Sequence, residues 1–172
     1  MVLYKTNKKK DIKLNGALFH VKTKRIRSDG SLCEIDLGTY ITGGIYVEKE
    51  EPFHFYLSDD SQMKNMQVFE SKEDNKTGRH IFSTASLEEG TYYGKTDLDE
   101  EIQEYVISKG AIILTRQPEN TDITFTEIAA PKGYYIDKKP YTVNVGSDHS
   151  LERIENYRTN IAIILPDTGI QG

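Results

Sequence analysis

The chain has 172 residues, a formal net charge of −5, eleven tyrosines, no tryptophan and one cysteine. That length suits one domain, or one domain with a large insertion, and allows a sizeable core. The acidic balance excludes general affinity for nucleic acid, the basic runs 8–10 and 22–27 reading as solvated loop or edge-strand faces; a lone Cys33 excludes an internal disulfide.

Residues 2–6 and 17–22 are rich in strand formers and read as strands of one sheet system, joined by the polar stretch 7–13. Segments 32–37, 39–48 and 52–57 read as a meander, separated by Gly38, by Gly43-Gly44 and by the acidic run 48–51. A polar turn at 74–78 precedes a strand at 80–84, and 87–93 reads as a turn feeding another. The period then changes. Asp97 with Glu100 forms a capping-box pattern, Leu98, Ile102, Tyr105 and Val106 share one helical face, and Gly110 closes the end. This predicts one short helix. Strands at 111–115, 122–128, 141–145 and 151–157 complete the chain. The expected fold is an all-β sandwich with one short helix, a single domain over 1–160 with an insertion at about 94–122, and a C-terminal segment over 161–172.

No apolar run has transmembrane length, and no leader pattern opens the chain, which reads as a piece trimmed at both ends. His20, His54, His80 and His149 lack metal-ligand spacing. Cys33 has no convincing histidine partner and reads as a small half-buried strand residue. Asp59 and Asp60, with Asp36 or Glu34, lack the spacing of an EF-hand. No cofactor is expected.

Four motifs remain. Leu165, Pro166, Asp167, Thr168 and Gly169 spell LPDTG, which by itself is also an ordinary turn. It resembles the LPxTG signal that sortases cut on Gram-positive surface proteins: proline forces an extended or kinked entry, threonine supplies the attacked carbonyl, and glycine leaves without hindrance. Val2-Leu3-Tyr4-Lys5-Thr6 followed by Leu14-Asn15-Gly16-Ala17-Leu18-Phe19 resembles the opening of CnaB-type domains. Leu87-Glu88-Glu89-Gly90-Thr91-Tyr92 resembles that family's Leu-x-x-Gly-x-Tyr turn. The run from Thr126-Glu127 to Ala130-Pro131-Lys132-Gly133-Tyr134 resembles its E-box, and Arg153-Ile154-Glu155-Asn156-Tyr157 its last strand. The chain departs from the family in its middle, where about 36 residues separate Gly90 from Glu127.

The resemblance implies a prealbumin-like, Ig-like sandwich from a sortase-anchored pilin or adhesin, located outside the cell on the wall or in a pilus. It implies an isopeptide bond from Lys5 to Asn156, with Glu127 as proton shuttle and Asn160 as the competing asparagine. A lysine amine attacks an amide only when neutral, and apolar burial by Tyr4, Phe19 and nearby aliphatics favours that form. The carboxyl, neutral for the same reason, holds the amide carbonyl and moves protons as ammonia leaves. The implied partners are sortase and a peptidoglycan precursor or another pilin subunit. A host protein or glycan is a further candidate, at the insertion or at the 32–57 meander. The self-crosslink is a single-turnover event and not enzyme turnover. The rival reading is an uncrosslinked transthyretin-like accessory domain of a secreted enzyme.

Overall fold

The computed structural model describes residues 1–9, 12–115, 117–118 and 120–145, together with the backbone of a strand at 162–165. The described chain is all-β. In order, the strands are β1 (Val2–Lys5), β2 (Leu18–Ile26), β3 (Leu32–Ile41), β4 (Ile45–Lys49), β5 (His54–Ser58), β6 (Gln67–Glu70), β7 (Lys72–Glu73), β8 (His80–Thr84), β9 (Gly90–Thr96), β10 (Gln103–Ile107), β11 (Ala111–Ile113), β12 (Asp122–Ala129), β13 (Tyr141–Asn144) and β14 (Ala162–Leu165).

They form four sheets around two apolar clusters. The sheets β11-β1-β14 and β13-β12-β2-β3 both contribute to the first cluster, built on Leu3, Phe19, Val21, Ile112, Ile123 and Phe125. Phe19 meets Phe125 edge to face at 6.5 Å, a favoured aromatic geometry. The sheets β10-β9-β5-β6 and β4-β8-β7 enclose the second, built on Ile45, Phe53, Phe55, Leu57, Phe82 and Ile107. Period-2 alternation drives both: in β12, Ile123, Phe125 and Glu127 point inward while Thr124 and Thr126 are half-covered. The stretch 94–122 is not packed as one unit, since β10 serves the second cluster and β11 pairs with β1.

Four expectations are corrected. No helix forms among the described residues. Residues 103–107 are instead a strand paired antiparallel with β9, Tyr105 opposite Tyr92. Asp99, expected inside the first helical turn, accepts the Thr96 hydroxyl at 2.7 Å and closes a turn. A helix of this length is marginal alone, whereas Tyr105, Val106 and Ile107 suit a pleated, half-buried surface. Strands β1 and β2 lie in different sheets, and β3, β4 and β5 go to three sheets and form no meander. Gly38, read as a separator, sits inside β3 at a bulge where Val21 pairs Gly38 and Lys22 pairs Asp36. Its φ of 98° suits glycine, and the Asp36 carboxylate accepts its amide at 2.7 Å. The strand expected at 151–157 lies outside the described residues.

One pairing on β5 is sensitive to pH. Asp97 accepts both the backbone amide and the ring Nδ1 of His54, each at 3.0 Å. That hydrogen bond, opposed by desolvation and helped by the Asp97 and Glu70 charges, raises the His54 pKa above 6.5. The stabilisation is therefore full below about pH 6.5 and lost as pH rises through the folded midpoint. An NMR titration is expected to place the midpoint above 6.5 in the native chain and to return it toward 6.5 in Asp97→Asn. A native midpoint at or below 6.5 would contradict the pairing.

Candidate functional site

The inward rows of two strands each end in a charge where alternation calls for an apolar side chain. In β1 that row is Leu3 then Lys5, and in β12 it is Ile123, Phe125, then Glu127. The two ends meet. Lys5 Nζ lies 3.1 Å from Glu127 Oε2, with side-chain exposures of 2% and 1%. Phe19 stands directly opposite Glu127 in the β2–β12 ladder and is itself buried. Tyr4, expected to help bury Lys5, points to the other face of β1, where the Lys13 ammonium sits 4.1 Å from its ring centroid.

The backbone holds Lys5 from both sides. Its amide donates to the Gly110 carbonyl at 2.8 Å, and its carbonyl accepts the Leu14 amide at 2.8 Å. Gly110 is the turn that makes this possible: its φ is 67°, and a Cβ there would lie 2.7 Å from Lys13 Cβ. Its own amide donates to Asn15 Oδ1 at 2.7 Å. The Asn15-Gly16-Ala17 motif thus anchors the β1 to β2 entry.

Glu127 sits at a bulge. It pairs with Phe19, Ala129 pairs with Leu18, and Ile128 is the extra residue, turned to solvent. The second carboxylate oxygen is held by a residue that sequence reasoning missed. The Asp137 backbone amide donates to Glu127 Oε1 at 2.8 Å. Asp137 in turn accepts the Tyr141 hydroxyl on Oδ2 and the Lys139 amide on Oδ1 at 3.0 Å. Desolvation opposes the Asp137 carboxylate, but these two donors and the nearby Lys5 and Lys139 charges hold its pKa below the usual aspartate value. The Tyr141 phenol is pushed up to about 12, first by its hydrogen bond to Asp137, then by burial and by the Asp137 and Glu127 charges. The signal for Asp137 was in the sequence as Asp137-Lys138-Lys139-Pro140, a turn in which an aspartate caps the amide two residues on.

Strand β14 runs parallel to β1 with Leu165 opposite Lys5. The first residue of LPDTG is therefore the last residue of a strand seated beside the buried lysine. Pro166, Asp167, Thr168 and Gly169 lie outside the described residues, as do Asn156 and Asn160. Asp36, weighed as a cation ligand, is engaged by His20 at 2.8 Å; among the described residues no group of three or more His, Cys, Asp or Glu side chains is arranged to hold a metal ion.

A second feature lies where the two clusters meet. A cleft of about 1310 Å³ is lined by the successive runs 36–41, 44–49, 99–107 and 112–115. Successive residues of a strand alternate faces, so unbroken runs mean that strand edges face the cleft. Strands β3, β4, β10 and β11 each end their sheet in the order of the described strands. Much of the charge there is paired internally, Lys49 with Asp99 at 2.9 Å and Arg79 with Glu48 at 3.3 Å. Compared with known proteins, the chain matches no family model, no curated protein and no solved structure.

Proposed function

We propose that this chain is a structural module of a Gram-positive surface protein, of the CnaB type, that crosslinks its own ends through Lys5 and is joined to a wall precursor or another pilin subunit by sortase at LPDTG. The enclosed Lys5–Glu127 pair carries the reading. Taking two charges from water costs several kcal/mol per ion, and such a pair is weak evidence for stability. A reaction that needs an amine and an acid in contact gives it a use.

In that reaction Lys5 passes a proton to Glu127, and the neutral Nζ attacks the side-chain carboxamide carbon of an asparagine. The new C–N bond forms, the bond to the amide nitrogen breaks, Glu127 delivers the proton that lets this nitrogen leave as ammonia, and the second proton shed by Nζ as it becomes an amide N–H returns to the Glu127 carboxylate. Atoms balance without cofactor or oxidant. Preorganisation supplies much of the acceleration. The proposal requires the segment between Val145 and Ala162 to bring Asn156 or Asn160 to Lys5 Nζ, with Asn156 preferred from its place in the motif. The parallel pairing of β1 and β14 supports a load-bearing role. Traction applied upstream of Val2 and downstream of Leu165 pulls the two strands lengthwise past each other, loading the whole ladder at once.

The edge-lined cleft favours a second reading, an adhesin that takes a host ligand. It ranks below the first because much of the cleft's charge is already spent on internal pairs.

Intact mass followed by peptide mapping is the test. The expected result is a chain one ammonia lighter than its sequence, with the loss mapped to Lys5 joined to Asn156. A map to Asn160 exchanges the partner and keeps the mechanism. A mass equal to the plain sequence overturns it and favours the uncrosslinked accessory domain.

A further inference from the structure

We infer that Asp137 and Tyr141 form a lock that positions Glu127 for crosslinking; the inference rests on the reading above. A carboxyl that relays a proton from one nitrogen to another must keep a fixed orientation. One oxygen has to face the amine while the other is held. Here the division is already made: Oε2 faces Lys5 at 3.1 Å and Oε1 accepts the Asp137 amide at 2.8 Å. Rotating the carboxyl away from Lys5 would strip that amide of its acceptor, a penalty for a half-buried donor.

The amide is useful only if the loop that carries it stays in place. The chain leaves β12 at Ala129, turns through Pro131 to Tyr134, where the Tyr134 amide donates to the Pro131 carbonyl at 3.1 Å, and passes Asp137 on its way into β13. The Asp137 side chain pins this return. Its Oδ1 accepts the Lys139 amide at 3.0 Å and its Oδ2 accepts the Tyr141 hydroxyl. Tyr141 is the first residue of β13 and pairs with Phe125, two residues before Glu127 on β12. The lock therefore closes when β13 docks on β12. Crosslinking is thereby tied to the docking of β13 on β12. Neither residue touches the reacting atoms, so both are positioning residues.

The test is a time course of ammonia loss in the full chain, made by cell-free synthesis, quenched in acid and read by intact mass. Asp137→Asn keeps the backbone amide and can keep both side-chain contacts, its Oδ1 accepting the Lys139 amide and its Nδ2 donating to the Tyr141 hydroxyl oxygen, so it is expected to crosslink within about threefold of the native rate. Tyr141→Phe and Asp137→Ala are expected to slow the reaction about tenfold or more, since small misplacements of a catalytic group cost that much. To separate positioning from folding, each change is repeated in the Glu127→Ala background, where no crosslink forms. Melting temperatures within a few degrees of that background assign the slowing to the lock, and a collapse there assigns it to folding and overturns the proposal. Native rates in both Tyr141→Phe and Asp137→Ala also overturn it while leaving the crosslink intact. An Asp137→Asn rate as slow as Asp137→Ala overturns it in favour of a charge effect. Absence of ammonia loss in the native chain removes the crosslink and the lock together.

Discussion

Glu127→Ala is expected to fold, to retain the plain sequence mass and to melt at least about 10 °C below the native protein. Two losses add. Removing the carboxylate strands Lys5 in an enclosure where its side chain is 2% exposed, and breaking one half of a buried pair costs about 3–5 kcal/mol. The missing crosslink releases the unfolded chain from a closed loop of well over a hundred residues, worth roughly 4–5 kcal/mol by the loop-entropy model used for disulfides. For a chain of this size each kcal/mol moves the melting temperature by about 2–4 °C.

A double variant separates the two terms. Lys5→Met with Glu127→Gln removes both charges, and the glutamine keeps an acceptor for the Asp137 amide, which lies 2.8 Å from Oε1 in the native chain. It is expected to recover the pair term and not the crosslink, melting above Glu127→Ala and below native. Differential scanning calorimetry of the three proteins decides this. A double variant as stable as the native chain would mean that the crosslink adds nothing. A Glu127→Ala chain that melts with the native protein would mean that Lys5 is not enclosed as described.

The strands were legible wherever alternation was regular. β2 and β12 carry inward residues at alternate positions and pair over Leu18 to Thr23 and Ile123 to Ala129, interrupted by the bulge at Ile128, although the strand read at 17–22 stops four residues short of the end of β2. The same alternation gives Lys5 and Glu127 away, because each stands at an inward position among residues such as Leu3, Ile123 and Phe125. Sheet membership was not legible. Nothing local tells β3 and β4 to part company; Thr42 does it, its hydroxyl donating to the Leu14 carbonyl at 2.8 Å and accepting the Ala17 amide at 3.0 Å. The helix expected around Leu98 to Val106 failed because a partner strand, β9, outbid a local pattern. Asp137 was legible only as a turn former; its contribution to the site is a backbone amide, which no residue type announces.

Phe55→Ala is expected to destabilise the second cluster by about 3–5 kcal/mol while leaving the crosslink in place. Phe55 is fully buried, stacks on Phe82 at 5.0 Å and meets Tyr105 edge to face at 6.1 Å. Phe82 stacks on Phe69 at 4.8 Å, so the loss reaches the outer strand β6. The two clusters share no buried residue. Hydrogen exchange should therefore accelerate across 45–107 while β2 and β12 keep their protection, and the mass should still lack one ammonia. Equal acceleration in β2 and β12 would show the two clusters to be one cooperative unit. Gly94 supplies the internal control. A Cβ added there lies 2.4 Å from Phe55 Cζ, so Gly94→Ala alone overpacks the site and costs about 1–3 kcal/mol. In the Phe55→Ala background the same methyl enters vacated space and should cost less, a coupling that two independent sites would not produce.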